Sequence, residues 1–413
     1  MGLEQDRPLL FPPEKLNSSH QIESFNSDKK RILPMTDMLE SFEIHNFRLF
    51  QHLEVKKLGR VNLVVGRNNA GKSTFLEAVE LYASNASSTV LLELVEFRQE
   101  TWFSEAQAHS QNFLGNPMRH LFFRHKLPKI GEGGISLGEV SSKAKLHIAT
   151  AAYQNKNDEE GTIRKIRISD VKFDEDLSNV EVFLVVEQGE RTRRLFRLDR
   201  DTIREIRRNS SRILYERPES EFKYIWQIVA TENMPNRKLA ALWDLTSLTD
   251  LESEVISALH LIDERITGVA FVEDISQGRA RDNRIPLVKI KGIDEPLPLK
   301  SMGDGMTRLF HIIVALVNAR NGLLLIDEFE NGLHWSVQPK VWDIVFQLSE
   351  RLNVQVFATT HSRDCIKGFD EVWNKYPNLG VFFRLDVKGE FIKATEYTSE
   401  TLTDAIDMDV EVR

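Results

Sequence analysis

Gly66-Arg67-Asn68-Asn69-Ala70-Gly71-Lys72-Ser73 fits G-x-x-x-x-G-K-[ST], a spacing whose joint chemistry is the cradling of a polyphosphate. The glycines let backbone N–H groups turn inward, and a helix N-terminus behind them adds partial positive charge. Lys72 would reach the β- and γ-phosphates, and the Ser73 hydroxyl would ligate Mg²⁺. An ordinary glycine turn is the plain alternative, but the context favours the phosphate loop. Val61 to Val65 is an apolar, β-branched run that reads as a buried strand. Phe75, Leu76, Val79 and Leu81 follow at helix-compatible spacing. The expected ligand is ATP with Mg²⁺, held by Gly66, Asn68, Asn69, Ala70, Gly71, Lys72, Ser73 and Thr74.

Three further groups of residues lie after position 300. Leu323-Leu324-Leu325-Ile326-Asp327-Glu328 is an apolar run ending in two acids. As a buried strand it would present Asp327 to the metal and Glu328 to the attacking water, with Lys72 and His361 as the other catalytic candidates. Ser301-Met302-Gly303-Asp304-Gly305 leads into a helical run from Met306 to Arg320 and is a second candidate anion site, through Ser301, Gly303 and Gly305. Val354 to Ala358 is another apolar run, ending in Thr359-Thr360-His361-Ser362, where His361 is placed to sense the γ-phosphate.

The elements that must position these groups are legible in part. Ser41 to His45 alternates like a strand, with a short Leu53-Glu54-Val55 run after it. Leu91 to Phe97 reads as helix, and Lys145 to Ala152 and Val180 to Val186 read as strands. A helix around Leu239 to Leu245 precedes a second, whose capping box is Thr249-Asp250-Leu251-Glu252 and whose apolar stripe is Leu251, Val255, Leu259, Ile262 and Ile266. Residues 1–38, with Pro8, Pro12, Pro13 and Pro34, read as a disordered tail.

The division expected is 39–84 and 301–413 as two parts of one ATPase head, with 85–300 as an insertion. The fold class expected is α/β: a mixed central sheet with the phosphate-loop, acidic and histidine strands parallel at its centre, an antiparallel β subdomain and an inserted α/β lobe. With 413 residues the chain has ample core. A net charge of −8 argues against a nucleic-acid-coating protein. The exception is Arg191–Arg212, where arginines at 191, 193, 194, 197, 200, 204, 207, 208 and 212 stand against Asp199, Asp201 and Glu205. That stretch is either a nucleic-acid contact or a solvated hairpin and helix face. Cys365 is the single cysteine, so no intrachain disulfide exists, and no apolar run has the length of a membrane span. A cytoplasmic location is expected.

The order of phosphate loop, insertion, small-residue signature, acidic strand and strand-end histidine resembles ABC-type ATPase heads. More closely it resembles the RecF/OLD-like branch of prokaryotic ATPases, over most of residues 40–413. Phe47-Arg48, Glu330-Asn331-Gly332-Leu333-His334 and Thr359-Thr360-His361-Ser362 look like that branch. The resemblance implies slow, regulatory ATP hydrolysis in a homodimer or higher oligomer, with ATP on Lys72 of one head completed by Ser301 and Gly303 of the other. Asn331 would lie at the facing surface. It implies a role like the stand-alone ATPase subunits of PARIS- or Septu-type antiviral defence systems, which gate a separate nuclease. The alternative is a RecF-like ATP-dependent clamp on DNA.

Departures are visible too. Met302 stands where ABC transporters and SMC proteins usually have glycine. Gln154 is a candidate for the glutamine that ABC heads place near Mg²⁺. Fewer residues follow Ser362 than a Toprim nuclease domain needs, so Asp407-Met408-Asp409 reads as a tail acid pair. Asn155-Lys156-Asn157-Asp158 fits the N-K-x-D of GTPases, but no aspartate lies between Ser73 and Gln154 to supply a D-x-x-G switch.

Overall fold

The computed structural model of the chain describes residues 38–101, 116–157, 163–168, 180–189, 191–198, 222–274 and 284–412. The tail expected over 1–38 therefore lies, up to residue 37, outside the described residues. In chain order the strands are β1 Phe42–Phe47, β2 Phe50–Val55, β3 Val61–Gly66, β4 Ile135–Gly138, β5 Leu146–Asn157, β6 Ile163–Ile168, β7 Val180–Gln188 and β8 Arg191–Arg197. They continue with β9 Trp226–Val229, β10 Ile266–Glu273, β11 Arg284–Ile290, β12 Leu297–Pro298, β13 Leu323–Ile326, β14 Gln355–Thr359, β15 Gly380–Lys388 and β16 Phe391–Tyr397. The helices are α1 Lys72–Ala83, α2 Ser88–Phe97, α3 Asn236–Thr246, α4 Asp250–His260, α5 Asp304–Asn318, α6 Gln338–Arg351, α7 Arg363–Lys375 and α8 Ser399–Asp407.

The central sheet has the order β16-β15-β3-β14-β13-β9. β15, β3, β14, β13 and β9 run parallel and β16 antiparallel, so the sheet is mixed as expected. Its strands alternate between two cores, as a period of two requires. Val61, Leu63, Val65, Leu324 and Ile326 face one cluster with α5, α6 and α7, and Val64, Leu323, Leu325 and Phe357 face the other with α1. That is why these strands read as unbroken apolar runs.

A second sheet, β2-β1-β4-β5-β7-β8 with β6 on β5, is antiparallel throughout, and a third of β10-β11-β12 is also antiparallel. α1 lies between the first two sheets. Its Phe75 ring meets Phe42 of β1 at 6.0 Å, and Phe383 of β15 and Phe357 of β14 at 5.4 and 6.2 Å. Among the described residues no helix is long and apolar enough to cross a membrane.

Two local expectations are corrected. The stripe from Leu251 to Ile266 is not one helix: α4 stops at His260, and Ile266 opens β10 opposite Ile290. The Asp263 carboxylate accepts the Arg265 N–H at 3.0 Å and turns the chain, while Ile266 still enters the same core as Val255 and Leu259. Shared burial imitated helical periodicity. The capping box at Thr249 is not reciprocal either, because Glu252 accepts from Leu248 N at 2.8 Å while Thr249 Oγ1 accepts from Leu251 N at 3.2 Å.

α1 buries Glu80, whose carboxylate accepts from Trp226 Nε1 at 3.2 Å. Burial pushes this carboxyl from 4.5 to about 7, against the opposing pull of Trp226 and Lys238 and with Glu93 and Glu77 adding to the rise. The folded state thus binds this proton more tightly than the unfolded chain. Its contribution is complete below about pH 4.5 and is lost as pH rises through about 7, at a cost of up to about 3 kcal/mol. Glu80→Gln is expected to raise the melting temperature at pH 8 and flatten its decline between pH 5 and 8. An unchanged pH dependence would show that Glu80 ionises freely.

Candidate nucleotide site

Register brings the separate motifs to one edge. Thr359 pairs with Val64, Ala358 with Ile326, and Ile326 with Val229, so β3, β14, β13 and β9 all end on the same side. Ligands of open parallel sheets bind beyond such carboxyl ends. Here the chain exits β3 into Gly66–Ser73, β13 into Asp327–Gly332, β14 into Thr360–Ser362 and β9 into Ala230-Thr231.

The phosphate loop needs its glycines for steric reasons. Gly71 has φ 97°, and an added Cβ would stand 2.7 Å from Cζ of the buried Phe50. Gly66 has φ 149°, and its Cβ would stand 2.8 Å from Leu385 O. No side chain caps α1, and its first turn holds no acid, so its leading N–H groups are open to an anion. Lys72 folds back on its own loop, donating to Gly66 O at 2.8 Å and Arg67 O at 3.2 Å. Burial lowers its pKa, opposed by the carboxylates of Asp327, Glu328 and Glu330.

Asp327 is the hub of the edge. Its Oδ1 accepts from Ser73 Oγ at 3.1 Å and Thr359 Oγ1 at 2.6 Å, and its Oδ2 from Thr231 Oγ1 at 3.4 Å. Carboxylate and hydroxyl oxygens suit a hard divalent cation. Glu328 is a non-glycine residue at φ 49°, its N–H donating to Thr359 Oγ1 at 2.9 Å. Backbone strain of this kind persists only where surroundings over-determine it. His361 Nδ1 lies 3.7 Å from Glu328 Oε1 and 3.2 Å from Glu330 Oε1, and the backbone N–H of His361 donates to Glu330 Oε1 at 3.0 Å. Phosphate loop, acidic pair and histidine are thus brought together.

Ser301 and Gly303 are not seen to join them: both are exposed, and among the described residues nothing but its own chain neighbours comes within 4 Å of where a Cβ on Gly303, at φ 96°, would be. Met302, half-buried, packs against the core cluster that contains α5, while Ser301 and Gly303 on either side of it are exposed. Gly305 packs instead on the loop after Asp327, where an added Cβ would stand 3.1 Å from Gly332 O. Asn331 is exposed, its Nδ2 donating to Thr231 O. Gln154 lies on β5 between Ile166 and Val180. Asn155 and Lys156 continue that strand, and Asp158 lies outside the described residues. Asp409 pairs with Arg363.

Sequence reasoning missed Arg308 and Arg98, and it singled out Arg48 only through the resemblance, without its contacts. Arg308, buried on α5, donates to Ala230 O, Asp327 O and Glu328 O at 2.5, 2.7 and 2.9 Å, and burial lowers its pKa to about 10. Arg48, from the Phe47-Arg48 pair, reaches Glu77 of α1 and Glu100 at 2.7 Å each and donates to Leu94 O at 3.0 Å. Arg98 joins them, donating to Glu77 Oε1 at 2.8 Å and to Thr74 Oγ1, beside Ser73, at 3.1 Å. A polar residue inside an apolar helix was the available signal for Arg308.

Three arginines of the basic stretch that lie among the described residues have partners within the chain. Arg197 pairs with Glu181 at 2.6 Å, Arg194 lies over Tyr153 and Phe183, and Arg193 donates to Asn85 O. Arg200, Arg204, Arg207, Arg208 and Arg212 lie outside the described residues.

Residues 61–364 match the model of the family described as "AAA domain, putative AbiEii toxin, Type IV TA system", more than half of the chain. A Helicobacter pylori protein named ATP/GTP phosphatase is 24% identical over 394 residues, covering 88% of this chain and 97% of that one. The DNA replication and repair protein RecF of Desulforudis audaxviator is 35% identical over 105 residues, 25% of this chain and 28% of that one. Among solved structures, an SMC head bound to the C-winged helix domain of ScpA superposes with a TM-score of 0.44 at 12% identity, over 88% of this chain and 99% of that one.

Proposed function

The chain belongs to this AAA-domain family and is a P-loop ATPase, and we propose that it works as facing copies whose ATP cycle gates a partner effector in prokaryotic antiviral defence. The observation that carries the reading is the division of the site. Lys72, Ser73, Asp327, Glu328 and His361 converge on one edge, while Ser301 and Gly303 are left exposed for a second copy.

In this reading Lys72 leaves the carbonyls of Gly66 and Arg67 for the β- and γ-phosphates. Ser73 and Asp327 would hold Mg²⁺, which would neutralise phosphate charge. Glu328 takes a proton from the water that attacks the γ-phosphorus, the bond to the β–γ bridging oxygen breaks, and ADP and phosphate leave. His361, steadied by Glu330, contacts the γ-phosphate and registers its loss. Ser301, Gly303 and the N-terminus of α5 from the facing copy close the site, with Asn331 at the joint. Separation of the copies after hydrolysis is the signal passed to the effector, a separate nuclease, in the cytoplasm. The phosphatase name of the Helicobacter relative supports NTP hydrolysis, and the family's description, with its words "putative AbiEii toxin, Type IV TA system", is what supports a defence role.

Native mass spectrometry of Glu328→Gln with ATP, expressed beside its genomic neighbour, tests this. An ATP-dependent assembly containing the neighbour is expected. Ser301→Arg should abolish turnover while leaving ATP binding intact, and intact turnover would refute the facing-copies mechanism. The partial RecF match favours a second reading, a clamp on duplex DNA. That reading requires ATP-dependent, salt-sensitive duplex binding by a bare dimer.

A further inference from the structure

We propose that Arg308 is a positioning residue that holds Glu328 in its catalytic backbone conformation and ties that conformation to the Ser301–Gly305 loop of the same chain. The coupling half of this inference rests on the facing-copies reading. Arg308 is 2% exposed and uses its two terminal nitrogens on three main-chain carbonyls, those of Ala230, Asp327 and Glu328. These carbonyls lie just past the ends of β9 and β13, beyond the strand ladder, and the Glu328 carbonyl also accepts the Asn331 N–H at 3.0 Å.

Glu328 is thereby gripped at both backbone groups. Thr359 Oγ1 accepts its N–H at 2.9 Å, and Arg308 Nη2 donates to its C=O at 2.9 Å. Together with the turn closed by the Asn331 N–H, which donates to the same C=O at 3.0 Å, that hold maintains φ 49° in a residue with a side chain. A guanidinium can fork to several acceptors in one plane, whereas an ammonium on a flexible stem cannot reproduce the geometry.

The other end of the connection is one helical turn away. Gly305 stands three residues before Arg308, against the carbonyl of Gly332. Thr307 fastens the loop to α5, its N–H and Oγ1 both donating to Gly303 O at 3.2 Å. A shift of Ser301–Gly303 on contact with a facing nucleotide therefore moves the first turn of α5, and with it the grip on Glu328. Small helix shifts of this kind are a common switching device.

Two substitutions test this. Arg308→Lys is expected to bind one ATP per chain while kcat falls about 100-fold, a split that loss of folded protein does not produce. Glu328→Gln/Arg308→Lys should self-associate with ATP as Glu328→Gln alone does. In Arg308→Ala, millimolar guanidinium should restore turnover, and sodium chloride at equal ionic strength should not. Turnover of Arg308→Lys within about threefold of the wild type would overturn the proposal. So would an Arg308→Ala protein that binds ATP yet ignores guanidinium, and so would loss of stoichiometric ATP binding in both variants, which would assign Arg308 to the fold alone. If instead Glu328→Gln fails to associate with ATP, the facing-copies reading falls while the kcat result on Arg308 stands.

Discussion

Glu328→Gln is expected to bind ATP with wild-type stoichiometry and to turn it over about 100- to 10,000-fold more slowly, the usual contribution of a general base. The amide keeps the shape of the carboxylate. It also keeps the backbone contacts that hold residue 328, the N–H to Thr359 Oγ1 and the C=O from Arg308. Its side chain is 37% exposed, so little packing is at stake. What disappears is the oxygen that takes the proton, together with one negative charge beside His361 Nδ1, 3.7 Å away. Phosphate release under steady state gives the rate, and ATP retained through gel filtration shows that binding survives. Undiminished steady-state release would remove Glu328 from the base role and leave Glu330, 3.2 Å from the same histidine nitrogen, as the next carboxylate to test.

Lys72→Ala is expected to fail one step earlier. Losing a charge-assisted bond worth about 1.5–3 kcal/mol lowers ATP affinity about 10- to 100-fold, and turnover should fall below detection. Without nucleotide the Lys72 ammonium only spans Gly66 O and Arg67 O and sits in the field of Asp327, Glu328 and Glu330. Its removal leaves two carbonyls to water, while Arg308 remains in the field of the same three carboxylates. The melting temperature should therefore change little, while the gain in melting temperature on adding ATP is lost. Calorimetric titration with ATP measures the binding and a phosphate assay the rate. Wild-type kcat in Lys72→Ala would disprove that this loop holds the reacting nucleotide.

The contrast between the two variants separates chemistry from binding. A Lys72 loss appears in the affinity, and a Glu328 loss appears in kcat with affinity spared. Neither depends on what the ATP cycle serves. The partner is decided by the assembly experiment, and the coupling by Arg308.

Much of the site was readable before any fold was known, for reasons specific to its residues. The phosphate loop is a contiguous string, and its glycines at 66 and 71 are demanded locally by positive φ and by a Phe50 ring that leaves no room for a Cβ. The strands before Gly66, Asp327 and Thr359 are buried on both faces, so each appears as an apolar run whose type does not depend on its neighbours. Their parallel association followed from those runs. Reading failed where spacing had two physical sources, as at Ile266, whose place in the core mimicked a helical period.

Only the tertiary structure could decide which residues meet. Thr231 and Ser73 both bond Asp327 from 96 and 254 positions away, because β9 and β3 end on the same sheet edge. β9 is no shorter than β13 but holds Gln227 and is only partly buried, so no apolar run announces it, and it exists as a strand through pairing with β13. Arg48, Glu77, Arg98 and Glu100 are ordinary surface types in sequence, and burial beside α1 turns them into one ion-paired support for the phosphate-loop helix. Chemistry carried by a continuous string is set by the residues themselves. Chemistry carried by carbonyls, hydroxyls and buried charges from distant strands is set by register, and register comes from packing the whole core at once.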